Sequence, residues 1–205
     1  MIRTVRPPFL FKKIYSELTW KLPGEGKTMY LTFDDGPVPG VTTEVLEILD
    51  RFNAKGTFFC IGKNIEENPG IFQQVKDKGH AVGNHTYHHL NGWASNDKLY
   101  FESTERTRSL VQSKLFRPPY GRITKSQINL LLPRYQIIMW NVLSYDYDKD
   151  VSEQECLQNV LTHSGEGSIV IFHDSVKAAS RLRYALPRML EHFTKEGYQF
   201  KAIPQ

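Results

Sequence analysis

The sequence predicts an α/β fold: a distorted (β/α) barrel of about seven parallel strands forming a single domain. Three observations carry this expectation. From residue 28 onward, short β-rich runs alternate with segments of helical period, the pattern of parallel strands joined by crossover helices. A chain of 205 residues with 40% hydrophobic side chains is long enough for one well-packed core and short for two. Finally, nearly every polar residue out of keeping with its apolar neighbours falls just after a candidate strand, on the face where barrels place their chemistry.

The candidate strands are 29–33, 57–61, 80–84, 115–117, 136–142, 168–172 and 198–203. Between them, Val45, Leu46, Leu49 and Phe52 form one apolar helical stripe with Thr42 or Thr43 as its cap, and Asn68-Pro69 opens a helix that Gly79 closes. Ser152 with Glu155 three residues on reads as a capping box for a helix through Leu161, and the amphipathic stretch 182–193 ends at Gly197. Residues 1–27, with Arg3, Arg6, Pro7-Pro8 and Leu22-Pro23-Gly24, read as an N-terminal extension draped over a domain formed by residues 28–205.

The formal charge of +4 comes from 26 basic and 22 acidic residues scattered along the chain. No basic block or aromatic-studded basic stripe points to nucleic acid. Cys60 and Cys156 form neither a CxxC motif nor a disulfide framework, and Cys60, inside an apolar run, reads as core. The apolar stretch Phe9-Leu10-Phe11 is cut short by Lys12 and Lys13, far below an export signal. No run approaches the roughly 18 apolar residues of a membrane span. The expectation is a cytoplasmic protein with neither a nucleic-acid nor a membrane partner, its oligomeric state open.

Asp34 and Asp35 follow the apolar run Met29-Tyr30-Leu31 and precede Gly36-Pro37. Asp-Gly-Pro is ordinary turn punctuation. Two adjacent carboxylates at a strand end also suit a metal, a strong cation or a proton to be moved. After a separate strand come His85 and His89, four residues apart, a spacing that turns both imidazoles one way on a helical turn. Two histidines and one aspartate make a three-ligand site with an open position, and zinc is the first choice for it. Trp140, within an apolar run, reads as core rather than sugar platform.

The chain then resembles the polysaccharide deacetylases with the NodB homology domain, carbohydrate esterase family 4, from about residue 28 to 203. The resemblance rests on Thr32-Phe33-Asp34-Asp35-Gly36, His85-Thr86-Tyr87-His88-His89, Arg117-Pro118-Pro119-Tyr120-Gly121, Leu143-Ser144-Tyr145-Asp146-Tyr147 and Ile171-Phe172-His173, in the family's order. It implies a NodB-like barrel related to the TIM barrel, and metal-dependent removal of N-acetyl groups from amino sugars such as chitooligosaccharide or peptidoglycan. By the same resemblance, Asp35, His85 and His89 would hold a divalent metal (zinc, or cobalt or nickel), which lowers the pKa of water and polarises the acetamide. Asp34 would be the general base, paired with Arg117; His173 the general acid, tuned by Asp146; and the Tyr120 backbone N–H an oxyanion donor. The fourth motif departs from the family: Leu143 stands where many relatives carry an aspartate, and Tyr147 replaces the usual tryptophan, keeping an aromatic wall beside the acetyl pocket. Two other readings stay open: an amidohydrolase on a small cyclic amide or ureide, and a catalytically silent glycan-binding module.

Overall fold

The computed structural model describes residues 4–23 and 26–205; Arg3 and Gly24 of the expected extension lie outside them. The centre of the sheet is β1 (Thr28–Asp34), in which every residue is buried, as a strand covered on both faces must be. It is flanked by β2 (Gly56–Cys60) and β7 (Ile169–His173). Beyond β2 come β3 (Ala81–Asn84), β4 (Leu115–Phe116) and β5 (Gln136–Ile137), and beyond β7 comes β6 (Val142–Leu143). The order is β5-β4-β3-β2-β1-β7-β6, every pair parallel. β8 (Gln199–Phe200) pairs with the first two residues of β1, below the point where β2 takes over at Leu31. The result is an α/β half-barrel in one domain, as predicted.

The period of two along a strand sorts the side chains. Met29, Leu31 and Phe33 of β1 join the outer cluster under the helices, where the Phe33 ring stacks on Phe58 and Phe172. Tyr30, on the alternate face, joins Phe59, Leu115, Ile138 and Ile169 in a cluster inside the barrel. Asp34 lies in register with that inner face, so the barrel itself turns its carboxylate inward.

The outer layer holds α2 (Val41–Arg51), α4 (Pro69–Asp77), α7 (Glu153–His163) and α8 (Ala179–Lys195), with α3 (Gly62–Glu67), α5 (Asp97–Val111) and α6 (Lys125–Leu131) completing the crossovers. The capping box at Ser152 and Glu155 is formed, and Pro69 occupies the first turn of α4. The cap expected at Thr42 or Thr43 is not: Gly40 is the N-cap of α2, with no side-chain bond. Thr42 is already committed, accepting from Val38 N–H at 2.7 Å and donating to Asp174 at 2.6 Å. α5 has no clear signature in the sequence because its buried stripe is partly polar: Ser103, Thr104 and Thr107 beside Tyr100 and Val111.

The strand expected over 136–142 is in fact two, β5 and β6, at opposite ends of the order. Ile138 N–H still bonds Phe116 of β4, but Asn141 N–H bonds Ile169 of β7. An uninterrupted apolar run cannot reveal that its neighbour changes midway. Residues 19–22, within the stretch expected to drape over the barrel, lie in that gap. Thr19 pairs with Ile138 on one side and Lys21 with Ser168 on the other. Ahead of them, α1 (Phe9–Ile14) buries no residue.

Candidate active site

Asp34, Asp35, His85, His89, Arg117, Tyr120, Tyr147 and His173 line one cavity of about 250 Å³ at the C-terminal ends of the strands, with Trp140, Leu143 and Lys177. Trp140 is therefore not only core: half-buried, it packs on Trp20 and forms part of the cavity wall. Gly121 meets it so closely that an added Cβ would lie 2.3 Å from the indole.

Strand ends alone do not aim these groups. Of seven described non-glycine residues with positive φ, Asp35, Thr86, His89, Tyr120 and Tyr145 lie in or next to the cavity. Side chains avoid this conformation unless the surroundings impose it, and such strain concentrates where geometry serves function. Asp35 at φ 83° is turned out of line with β1, its carbonyl held by Asn64 at 2.7 Å. The next amide, Gly36 N–H, donates to Asp174 at 3.1 Å, and a Cβ at Gly36 would fall 1.9 Å from that carboxylate. No motif in the sequence marks Asp174. It caps nothing and points inward, its pKa pushed up to about 8 by burial, with Asp35 adding to the effect against the Thr42 and Gly36 bonds.

The two histidines converge, but not on the helical turn expected from their spacing. Residues 85–89 form a bent loop with Thr86 and His89 left-handed, pinned by Thr86 N–H to Asn84 Oδ1 and Tyr87 N–H to Ser103 Oγ, both 2.9 Å. His85 Nδ1 lies 2.8 Å from the Arg117 carbonyl and so donates to it, leaving the Nε2 lone pair facing Asp35. His89 Nδ1 lies 3.1 Å from the Tyr120 hydroxyl, and its Nε2 lies 3.2 Å from Asp35 Oδ1. One donor atom from each of Asp35, His85 and His89 falls within 4.8 Å of the others. One carboxylate oxygen and two imidazole nitrogens fit a divalent cation, which would take the place of the proton His89 Nε2 shares with Asp35. Burial, with the charge of His89 beside it, lowers the His85 pKa to about 4, so His85 is neutral and able to ligate at pH 7. Against the effect of burial, the hydrogen bond from His89 and the charge of His173 hold Asp35 well below the usual carboxylate range.

On the barrel's inner face, Arg117 Nη1 meets Asp34 Oδ1 at 2.7 Å. The guanidinium is fully buried over the Phe59 ring and also donates to Thr32 Oγ1 and to the carbonyls of Ile138 and Met139. A buried ion pair survives only with its remaining donors satisfied, and here they are. Opposite, His173 Nδ1 lies 2.7 Å from Asp146 Oδ1, while His173 N–H bonds Oδ2 of the same carboxylate. Burial alone would lower the imidazole pKa; Asp146 outweighs it and pushes His173 up to about 9. Tyr147 meets His173 edge-on at 4.8 Å. Lys177, which no motif in the sequence marks, places its ammonium 3.1 Å from Asp35 Oδ2 at the mouth.

Known proteins share this arrangement of strands. The polysaccharide deacetylase family profile matches residues 21–132. A Bacillus cereus peptidoglycan-N-acetylglucosamine deacetylase is 32% identical over 92% of this chain and 92% of its own length. The peptidoglycan-N-acetylglucosamine deacetylase PgdA of Listeria monocytogenes is 33% identical over 87% of this chain, which spans only 38% of that longer protein. Among solved structures, a peptidoglycan N-acetylglucosamine deacetylase in complex with 4-naphthalen-1-yl-N-oxidanyl-benzamide superposes with a TM-score of 0.88 at 30% identity, covering 97% of this chain and 95% of that one. With the family's profile over more than half its length and a relative matched nearly end to end, the chain belongs to the polysaccharide deacetylases of carbohydrate esterase family 4, hydrolases acting on carbon–nitrogen bonds other than peptide bonds.

Proposed function

We propose that this protein removes the N-acetyl group from N-acetylglucosamine-type residues of a peptidoglycan-like glycan, using a divalent metal, zinc by preference, held by Asp35, His85 and His89. One observation carries the reading: a three-donor cluster within 4.8 Å, flanked in the same cavity by a carboxylate paired with arginine and an imidazole paired with aspartate. The named relatives that act on peptidoglycan N-acetylglucosamine support the substrate class.

The cation would polarise the acetamide carbonyl and lower the pKa of water. The chain's own residues do the rest. Asp34, oriented by the Arg117 guanidinium, accepts a proton from the attacking water. The Tyr120 backbone N–H donates to the oxygen on which negative charge develops. His173, kept protonated by Asp146, delivers its proton to the amine nitrogen as the C–N bond breaks, and Tyr147 walls the acetyl methyl. Acetate and the free amino sugar leave.

Acetate release from N-acetylated peptidoglycan and chitooligosaccharides, with metal-stripped protein and after zinc is restored, tests the reading. Zinc-restored release is expected. Undiminished release from the stripped protein removes the metal from it, and release only from small cyclic amides replaces the substrate.

A further inference from the structure

Among the described residues, little packing accounts for the composition of α1. Its six residues, Phe-Leu-Phe-Lys-Lys-Ile, bury none of their side chains: Phe9 is 81% exposed, Leu10 63%, Phe11 46% and Ile14 51%. So short a helix is not stable by itself. Its anchors lie beyond its C-terminus, where Tyr15 and Leu18 pack into the cluster around Phe116, and Lys125 donates to the Ile14 carbonyl at 3.0 Å while lying over the Tyr15 ring. The fold thus supports a helix of which only Phe11, stacked on the Tyr15 ring, leans on the domain, and single exposed apolar residues are ordinary where four on one turn and a half are not.

Basic groups surround the patch. Lys12 and Lys13 lie within α1, and Arg6 and Lys21 are near enough to Lys12 to depress its pKa, after burial. The nearest acid of this segment, Glu17, is neutralised by Lys125 at 2.6 Å. The patch also adjoins the cavity. Phe11 and Tyr15 share a small apolar depression with the exposed Trp93 and with Gly121, and Gly121 lines the active cavity between Tyr120 and Arg122.

We propose that α1 and its basic flanks dock on an anionic lipid surface, Phe9, Leu10, Phe11 and Ile14 entering the headgroup–acyl boundary and Lys12, Lys13 and Lys21 facing the phosphates, while Arg6 is held by the His163 carbonyl. Apolar tips with long basic side chains beside them are the composition of an interfacial helix, since the lysine stems lie along the apolar surface while their ammonium groups reach the headgroups. This departs from the expectation that no membrane partner exists, which rested on the absence of a long apolar run; a helix lying in the interface needs none. With one and a half turns inserted, attachment is reversible and salt-sensitive. Resting on the deacetylase reading, the consequence is that the cavity mouth is held close to a bilayer and favours N-acetylated glycan near it.

Co-sedimentation of the full chain with phosphatidylcholine vesicles, with and without about 30 mol % phosphatidylglycerol, tests the docking. Binding to the anionic vesicles alone is expected, falling about fivefold for each of Lys12→Ser and Lys13→Ser and lost in Leu10→Ser/Ile14→Ser. The double variant touches no buried residue, so its unchanged melting curve and unchanged acetate release from soluble chitooligosaccharide separate failure of docking from failure of the catalytic reading. The proposal is overturned if the protein stays in the supernatant at about 0.05 M salt, binds neutral vesicles equally well, or forms a dimer that Leu10→Ser/Ile14→Ser dissolves.

Discussion

The two walls of the cavity use the same pair of charges in opposite order. On the β1–β4 wall the cation is the anchored partner: Arg117 is buried and held by the barrel's own carbonyls, and it presents the Asp34 carboxylate to the site. On the β7 wall the carboxylate is the anchored partner: Asp146 is fully buried and presents the His173 imidazole. Both contacts are 2.7 Å. An anchored carboxylate keeps the His173 imidazole protonated and an anchored cation orients the Asp34 carboxylate, so one kind of ion pair, reversed, sets the proposed proton acceptor opposite the proposed donor across the Asp35, His85 and His89 cluster.

The metal cluster between the walls should show the largest effect. His85→Ala or Asp35→Asn is expected to abolish stoichiometric zinc binding, measured by calorimetry, and acetate release with it. Persistence of both in either variant would separate the cluster from the chemistry. On the first wall, Asp34→Asn should keep zinc and lose about 10²–10⁴ in rate; loss of zinc as severe as in Asp35→Asn would make the neighbours one ligand set rather than base and ligand.

The second wall is sharpened by changing the leaving group. An amine leaves poorly unless protonated, whereas an activated aryl acetate leaves as a stable anion. His173→Ala should therefore reduce amide hydrolysis about 10²–10⁴-fold and spare most of the activity on the aryl ester. Equal losses on both substrates point instead to substrate positioning.

Asp146→Asn should have the smallest effect on rate at neutral pH and the clearest on its pH dependence. Asp146 raises the His173 pKa to about 9, so the acid form persists in the wild type until pH passes that value. Without that carboxylate burial is opposed only by the charges of Asp35 and Asp34, and the alkaline limb of kcat/KM should move toward lower pH by about one unit or more. Stability has the same sign: a raised folded-state pKa contributes fully below the unfolded value of 6.5 and is lost as pH rises through about 9. The melting-temperature gap between wild type and Asp146→Asn should narrow over that window; a constant gap would place the contribution of Asp146 in its bond to the His173 backbone N–H.

Periodicity and punctuation made much of the fold legible in the chain. Fully buried strands such as β1 read as apolar runs because both faces are covered, and the Ser152 box and Asn68-Pro69 start were legible because caps are made by neighbours in sequence. The strand-end rule marked Asp34, Asp35, His85, His89, Arg117 and His173, with Asp146 behind His173, and the family resemblance added Tyr120 and Tyr147 to the same cavity. Tertiary structure alone decided which partner each backbone group takes. It split 136–142 between two edges of the sheet, set Thr19 and Lys21 in the gap, and drew Thr42 away from capping to hold Asp174. It also brought His85 and His89 together through left-handed loop residues rather than a helical turn. Each of these depends on contacts between residues distant in sequence, where the cost of burying an unpaired polar group, rather than local propensity, selects the conformation.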